Sequence, residues 1–400
     1  MNYLLLAVYN EIKHIKKKIK IVKEIVMSKK RIVLTGGGTG GHIFPLVAIA
    51  EEMRKQYDDI DFLYIGTKAQ MGEVAKQVME EVGIPTKNVA TGKMRRYFSL
   101  QYFLDFFRIP FGIIQSLYHL LVYMPDAVFS KGGYASVPVV IAAAIYRIPV
   151  LTHDSDAVPG WANRIGGKLS RYIAISYAES EKYFLARKTV LTGNPLREVV
   201  LQGDCARGYE RWGFSESRPT LLVVGGSQGA KVINDAILRV LPQLSKLVQV
   251  LHVTGKDHYE KAKNLAAEYG FKSGRHRYFA VPFLNREEMA DAYAVADIVI
   301  SRSGANSITE LAATKKVVIF VPLKRSANDH QRMNAFEIAK IGGALVMEET
   351  NLGSNLLLEK IEELLTTKEL RTQMQENITA FYHPDAATKI VAGIVKMMEE

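Results

Sequence analysis

Two glycine-rich turns, near positions 36 and 225, each sit between an apolar β-run and an amphipathic helix. The first reads Arg31-Ile32-Val33-Leu34-Thr35 and then Gly36-Gly37-Gly38-Thr39-Gly40-Gly41-His42. The second reads Leu221-Leu222-Val223-Val224 and then Gly225-Gly226-Ser227-Gln228-Gly229-Ala230. A strand that ends in glycines and feeds a helix gathers backbone N–H groups and the positive end of a helix dipole at one spot, which suits an anion such as phosphate. Two such turns, one domain length apart, predict two nucleotide-fold halves facing each other across a cleft. A length of 400 residues agrees, since it exceeds what one hydrophobic core comfortably serves.

The alternation of elements gives the same answer. From Lys30 onward, β-runs are expected at 31–35, 61–66, 126–131, 149–154 and 171–176. After Pro195 the pattern restarts at 220–225, 248–255, 277–282, 297–302, 317–322 and 344–348. Strands alternating with helices mean parallel sheets covered on both faces, an α/β class with two Rossmann-like domains. The boundary is expected at Thr192-Gly193-Asn194-Pro195, where Gly, Asn and Pro interrupt the pattern. The expected organisation is an extension at 1–28, a first domain at 29–193 and a second at 194–383. A last helix at about 384–400 is expected to pack back on the first domain.

Cys205 is the only cysteine, so no intrachain disulfide and no cysteine cage for a metal can form, which fits a reducing cytoplasm. The formal charge of +11 favours phosphorylated substrates, anionic lipid or nucleic acid as partners. Much of that excess lies in the first thirty residues, where eight lysines from Lys13 to Lys30 face only Glu11 and Glu24. Ile12, Ile15, Ile19, Val22 and Val26 form one apolar stripe there. That pattern reads either as a helix lying on an anionic membrane surface or as an upstream extension before a start at Met27. The stretch from Lys93 to Tyr123 mixes Arg95, Arg96 and Arg108 with Tyr97, Phe98, Tyr102, Phe103, Phe106, Phe107, Phe111 and Tyr118. It suits a lipid interface or a groove for an apolar chain, with core packing as the plainer reading. No recognised nucleic-acid module appears, and no apolar run reaches the roughly 18 residues of a membrane-spanning helix.

Gly36-x-Gly38-x-x-Gly41 matches the dinucleotide fingerprint in form. The second strand, however, ends Tyr64-Ile65-Gly66-Thr67 without the carboxylate a ribose needs, which argues against NAD. His42, at a helix start, is a candidate general base, because the dipole favours the neutral imidazole; capping or packing is its plainer role. His153-Asp154-Ser155-Asp156 follows a strand, where active-site loops of parallel sheets lie. A base or hydroxyl-binding role is favoured there over a metal role for Asp154-x-Asp156. Glu310, one turn into the helix that starts after Ser303-Gly304-Ala305, is placed to accept hydrogen bonds from two ribose hydroxyls. Asn328-Asp329-His330-Gln331, with Asn334, offers donors for a sugar.

Taken together, Gly37–His42, Thr192-Gly193-Asn194-Pro195-x-Arg197, Gly225–Ala230 and Arg302-Ser303-Gly304-Ala305 resemble the MurG family of peptidoglycan N-acetylglucosaminyltransferases, two-domain sugar transferases of GT-B architecture. The resemblance spans residues 29–400. It implies a C-terminal half that binds UDP-N-acetylglucosamine, with uracil near Thr254 and Phe283 and the ribose on Glu310. It places Arg197, Ser227 and Gln228 near the diphosphate, His330, Gln331 and Asn334 on the sugar, and Asn234 and Ala305 in the same donor site. It implies an N-terminal half that binds the diphosphate of lipid I through Thr39, Gly40, Gly41 and Tyr134, with Asp154 also on the acceptor side. His42 and Asp156 are then the catalytic candidates, no cofactor or metal is expected, and transfer proceeds with inversion. The protein is expected at the cytoplasmic face of the plasma membrane, peripherally bound, with cell-wall synthesis and division proteins as further partners. A transferase for another lipid-linked acceptor such as diacylglycerol, a UDP-sugar epimerase and a catalytically dead membrane scaffold are the competing readings. The family usually carries His-Glu-Gln-Asn where this chain has His153-Asp154-Ser155-Asp156, which changes reach and charge beside the acceptor.

Overall fold

The computed structural model describes residues 29–37, 40–67, 73–92, 100–226, 228–271, 277–324 and 326–400. The extension at 1–28, Thr39, Ser227, residues 93–99 and the side chains at 100–107 lie outside that description.

Long apolar runs in a parallel sheet must be covered on both faces, and two such sheets form. The first contains β1 (Lys30–Thr35), β2 (Ile60–Gly66), β3 (Thr86–Asn88), β4 (Ala127–Ser130), β5 (Val150–Asp154), β6 (Tyr172–Ile175) and β7 (Thr189–Leu191). The second contains β8 (Thr220–Val224), β9 (Gln249–Val253), β10 (Tyr278–Val281), β11 (Ile298–Ser301), β12 (Val317–Phe320) and β13 (Leu345–Val346). Their orders are β3-β2-β1-β4-β5-β6-β7 and β10-β9-β8-β11-β12-β13. Every strand pairing is parallel. The two orders are the same walk, outward from one central strand and then back across it. Each sheet therefore has one switch point, between β1 and β4 in the first and between β8 and β11 in the second. Ligands of open α/β sheets bind outside the strand ends at such points.

The expected strands are all present within a residue or two of their bounds. The structure adds β3 and β7, three-residue edge strands with half-buried or exposed side chains. Edges of three residues are too short to show a period, and a sheet gains by keeping its edges short.

Helix α1 (Gly40–Gln56) follows the first glycine turn, and helix α2 (Leu100–Tyr123) precedes β4. In the second half, α3 (Lys231–Leu247) follows the second glycine turn, α4 (Ala305–Ala313) follows β11, and α5 (His330–Lys340) follows β12. The last helix, α6 (Ala386–Glu399), leaves the second half and packs on the first. Ile390, Val391, Ile394 and Met397 join Ile32, Ile43, Val47 and Phe129 in one buried cluster. Tyr177 and Ala157 of the first half are in turn buried in a core cluster of the second sheet, beside Phe381. Each half thus completes part of the other's core. Replacing Ile394, which has no exposed surface, by alanine should cost about 2–5 kcal/mol of stability in urea unfolding. An unchanged midpoint would mean that the last helix is not part of the first half's core.

Candidate active site between the two switch points

The glycine turn after β1 folds against the turn after β4. The Gly37 N–H donates to the Gly132 carbonyl at 2.9 Å. Gly133 has φ +77°, and a Cβ there would lie 3.0 Å from the Gly37 nitrogen and 3.2 Å from His42 Nε2. Only glycine fits that close approach in that backbone region. The second turn is built alike: Gly229 has φ +76°, and a Cβ would lie 2.0 Å from the Thr254 carbonyl oxygen. Both turns therefore present bare backbone at a helix start.

His42, on the first turn of α1, packs its ring over Gly37. Burial and then the charge of Lys131 push its pKa down to about 4, while Asp156 raises it and His330 of the opposite half lowers it. The ring is therefore a neutral base that senses both halves.

At the end of β5, His153 and Asp154 are buried. Lys131 Nζ donates to His153 Nδ1 at 2.6 Å, and His153 Nε2 donates to the Gly193 carbonyl at 2.9 Å. When Lys131 is the ammonium it can only donate, which sets the His153 proton on Nε2. Asp154 turns inward rather than into the cleft. Its Oδ1 accepts from the Asp156 backbone N–H at 2.9 Å and its Oδ2 from Asn163 Nδ2 at 2.5 Å. Burial and Asp156 raise its pKa, and Asn163, the Asp156 N–H and Lys131 pull it back. Asp154 thus shapes the loop that presents Asp156.

Asp156 faces the second half. Asn334, fully buried on α5, donates from Nδ2 to Asp156 Oδ1 at 2.8 Å and to the Ser303 carbonyl at 3.3 Å. Its Oδ1 accepts from the Ala157 N–H at 2.8 Å. Both ends of the amide are engaged across the cleft, so in this arrangement Asn334 joins the halves instead of facing a sugar. Asn194, on the crossing segment, makes a second bridge. Its Oδ1 accepts from Lys131 at 3.0 Å, and its Nδ2 donates to Asn306 Oδ1 at 3.0 Å and Thr309 Oγ1 at 3.2 Å.

Arg197 is buried, stacks on Phe44 at 4.0 Å and leaves Nη1 without a hydrogen-bond partner. Phe44, Asn194, Arg197, Asn306 and Glu310 line one small pocket. Tyr293 donates to Glu310 Oε2 at 2.8 Å. Burial raises the Glu310 pKa, while the Tyr293 hydrogen bond and the Arg197 charge lower it. A cation with an unused donor beside a carboxylate acceptor, next to helix α4, can take a phosphate and a diol together.

The halves match glycosyltransferase family 28, its N-terminal domain at 32–175 and its C-terminal domain at 220–390. The chain belongs to glycosyltransferase family 28. A relative from Clostridium perfringens (strain SM101 / Type A) is 37% identical over 86% of this chain and 92% of that protein. One from Legionella pneumophila (strain Paris) is 38% identical over 91% of this chain and 96% of that protein. Both are named UDP-N-acetylglucosamine--N-acetylmuramyl-(pentapeptide) pyrophosphoryl-undecaprenol N-acetylglucosamine transferase. The crystal structure of MurG from Acinetobacter baumannii superposes with a TM-score of 0.70 at 27% identity, covering 92% of this chain and 99% of that one. A UDP-GlcNAc 2-epimerase from Neisseria meningitidis, at 15% identity and TM-score 0.66 over 92% of this chain and 100% of that one, shares the fold alone.

Within this family 28 chain the remaining residues divide by position. Gly40 and Gly41 open α1, and Tyr134 stands half-buried after the Gly132-Gly133 turn. Gln228 is exposed on the second turn, Phe283 is exposed after β10, and Ala305 begins α4. Asn234 lies beneath the turn instead of lining the cleft: it is buried, donates to the Thr254 carbonyl at 2.8 Å and accepts from His252 at 3.0 Å. Gln331 Oε1 accepts from the Leu323 N–H at 3.1 Å, which fixes it at the start of α5 beside His330. Among the described residues no cluster of three or more His, Cys, Asp or Glu is set to hold a metal ion. Lys131, Asn163, Asn194 and Tyr293 are site residues that sequence reasoning passed over. For Lys131 and Asn194 the only signal was position, directly after a strand and within Thr192-Gly193-Asn194-Pro195; Asn163 and Tyr293 lie inside the helices Trp161–Leu169 and Arg286–Val295 and carried none. Asn334→Asp should set a second carboxylate against Asp156 and part the halves, raising the radius of gyration in small-angle scattering at neutral pH. Scattering identical to the parent protein would show that this contact does not hold the cleft.

Proposed function

We propose that the chain transfers N-acetylglucosamine from UDP-N-acetylglucosamine to the C4 hydroxyl of the N-acetylmuramoyl-peptide on lipid I, giving lipid II for peptidoglycan synthesis. One observation carries this reading. The residues of a nucleotide-sugar site, Arg197 with an unused donor and Glu310, stand at the junction of two facing switch points. They do so in a chain 37–38% identical to transferases named for that reaction.

The second half takes the donor. The ribose hydroxyls donate to Glu310, the diphosphate meets the N-terminus of α3 and Arg197, and the sugar lies by His330, Gln331 and Ala305. The first half takes the acceptor diphosphate on the turn at Gly40 and Gly41, near Tyr134. The acceptor oxygen then forms a bond to the anomeric carbon as the bond from that carbon to the diphosphate breaks. The configuration inverts, UDP leaves, and the hydroxyl proton passes to His42 or Asp156. A base with a pKa of about 4 is unprotonated at neutral pH but weak. Two phosphates arriving beside it raise its basicity, and catalysis gains as that value approaches the working pH. The departing charge is met by backbone N–H groups, the helix dipole and a buried guanidinium, which need no rearrangement during reaction.

Among the described residues no helix is long and apolar enough to cross a membrane. A lipid-linked acceptor instead requires peripheral contact, and α2 offers the surface for it. Phe111, Ile114, Tyr118, Leu121 and Val122 are each more than half exposed on that helix. We place this face on the anionic cytoplasmic leaflet, where cell-wall synthesis and division proteins are its neighbours. Ile114→Asp combined with Tyr118→Asp should reduce flotation with anionic vesicles several-fold while leaving UDP binding intact. Equal flotation would remove α2 from the membrane contact.

The decisive assay measures UDP release from UDP-N-acetylglucosamine, with and without a short-chain lipid I analogue and with and without a chelator. Release that depends on the acceptor and survives chelation is expected. Release indifferent to the acceptor would overturn the transferase reading, and release abolished by the chelator would overturn the metal-free one.

A further inference from the structure

Lys131 has 2% of its surface exposed, yet it sits at the carboxyl end of β4, at the first sheet's switch point. A buried lysine is costly unless its donors are all put to use. Its Nζ reaches His153 Nδ1 at 2.6 Å and Asn194 Oδ1 at 3.0 Å. His153 passes the connection to the Gly193 carbonyl at 2.9 Å, one residue before Asn194. Asn194 then grips Asn306 and Thr309 in the first turns of α4, the helix that carries Glu310. Asn306 reaches back to the Gly41 carbonyl at 3.4 Å. The chain of contacts therefore starts at the acceptor strand, crosses the hinge segment and ends at the donor helix.

We propose that Lys131 is a positioning residue: its ammonium, through His153 and Asn194, sets the donor helix against the acceptor turn. This rests on the transferase reading above. Lys131 is sealed from the cleft and touches neither substrate. It acts by geometry and by charge.

The charge has a defined reach. The titratable and charged groups facing Lys131 are His42 on α1, His153 and Asp154 on β5, and Asp156 on the loop that follows. Burial lowers the Lys131 pKa, and Asp154 and Asp156 raise it. Its positive charge lowers the His42 pKa in turn. Removing the cation therefore moves His42 toward holding its proton at higher pH. With His42 as the base, the acid limb of the rate profile moves the same way.

The test compares kcat, KM and the pH profile of acceptor-dependent UDP release in the parent protein, Lys131→Met, Lys131→Arg and Asn194→Ala. Lys131→Met should lower kcat roughly tenfold or more, the loss expected for hydrogen bonds to a buried charge. Its KM for UDP-N-acetylglucosamine should stay within about threefold, because donor contacts are untouched. Its acid limb should shift to higher pH. Lys131→Arg keeps the charge but cannot repeat both short contacts, and Asn194→Ala cuts the tie while leaving the charge. Both should lower kcat with the acid limb in place, and they carry the test if Lys131→Met does not fold. Parent-like kcat in the folded variants overturns the proposal. So does a Lys131→Met enzyme that is slower with an unmoved acid limb, since a merely structural lysine would behave that way. A parent protein that releases no UDP in response to acceptor overturns the transferase reading itself, and this proposal with it.

Discussion

Asn334 and Asn194 are buried amides that hydrogen-bond at both ends, and each connects one sheet to the other. A buried amide without partners loses far more than a satisfied one gains, typically about 1–3 kcal/mol for each group left open. The two halves therefore cannot slide past one another by a fraction of an ångström at no cost. Either both amides are satisfied or the cleft opens and water takes their place. Two directional contacts also restrict rotation, which one apolar patch would not do. The turn at His42 and the helix carrying Glu310 are tied through Asn306, which accepts from Asn194 and donates to the Gly41 carbonyl at 3.4 Å.

The polar character of that seam suits a cleft that must admit substrates. An interface of apolar side chains would expose greasy surface on every opening, whereas amides and carboxylates exchange their partners for water at small net cost. The apolar contacts between the halves lie elsewhere. Tyr177 packs near Phe381, and α6 crosses to the first sheet. Those contacts are near the two points where the chain passes between the halves, at 192–197 and 381–386. Apolar packing at the crossings with polar contact at the mouth is an arrangement in which the mouth can open while the crossings stay packed.

Much of this was legible in the sequence because it was written locally. An apolar run of five, a glycine turn and an amphipathic helix are neighbours along the chain, so both sheets, both switch-point turns and family membership could be read from motif and spacing. The small edge strands β3 and β7 could not, because three residues are too few to show a period. The carboxylates at 154 and 156 show a different limit. Their spacing suggests two equivalent groups at a strand end, yet one closes the loop through Asn163 while its neighbour meets Asn334. That division depends on residue 163 and residue 334 arriving at one place, and only the tertiary structure brings them there. Lys131 was hidden for the same reason. A lysine after a strand reads as solvated until Asn194 and His153 are seen to enclose it.

That enclosure also bears on how one fold serves several chemistries. A sheet pair like this one, at 15% identity, belongs to an epimerase as well, so the strand order by itself leaves the reaction open. What differs must lie in which charges stand at the switch points. Here the first switch point holds a buried cation between His42 and two aspartates, and the second holds a cation–carboxylate pair, Arg197 and Glu310. A second substrate bearing its own diphosphate adds negative charge on the side where Lys131 already stands, and the helix dipole of α1 points the same way. The backbone N–H groups and dipole at the start of α1 thus prepare the first half for an anion that an enzyme acting on the nucleotide sugar alone has no reason to bind. This preparation is the physical basis for preferring transfer to a phosphorylated acceptor over rearrangement of the donor.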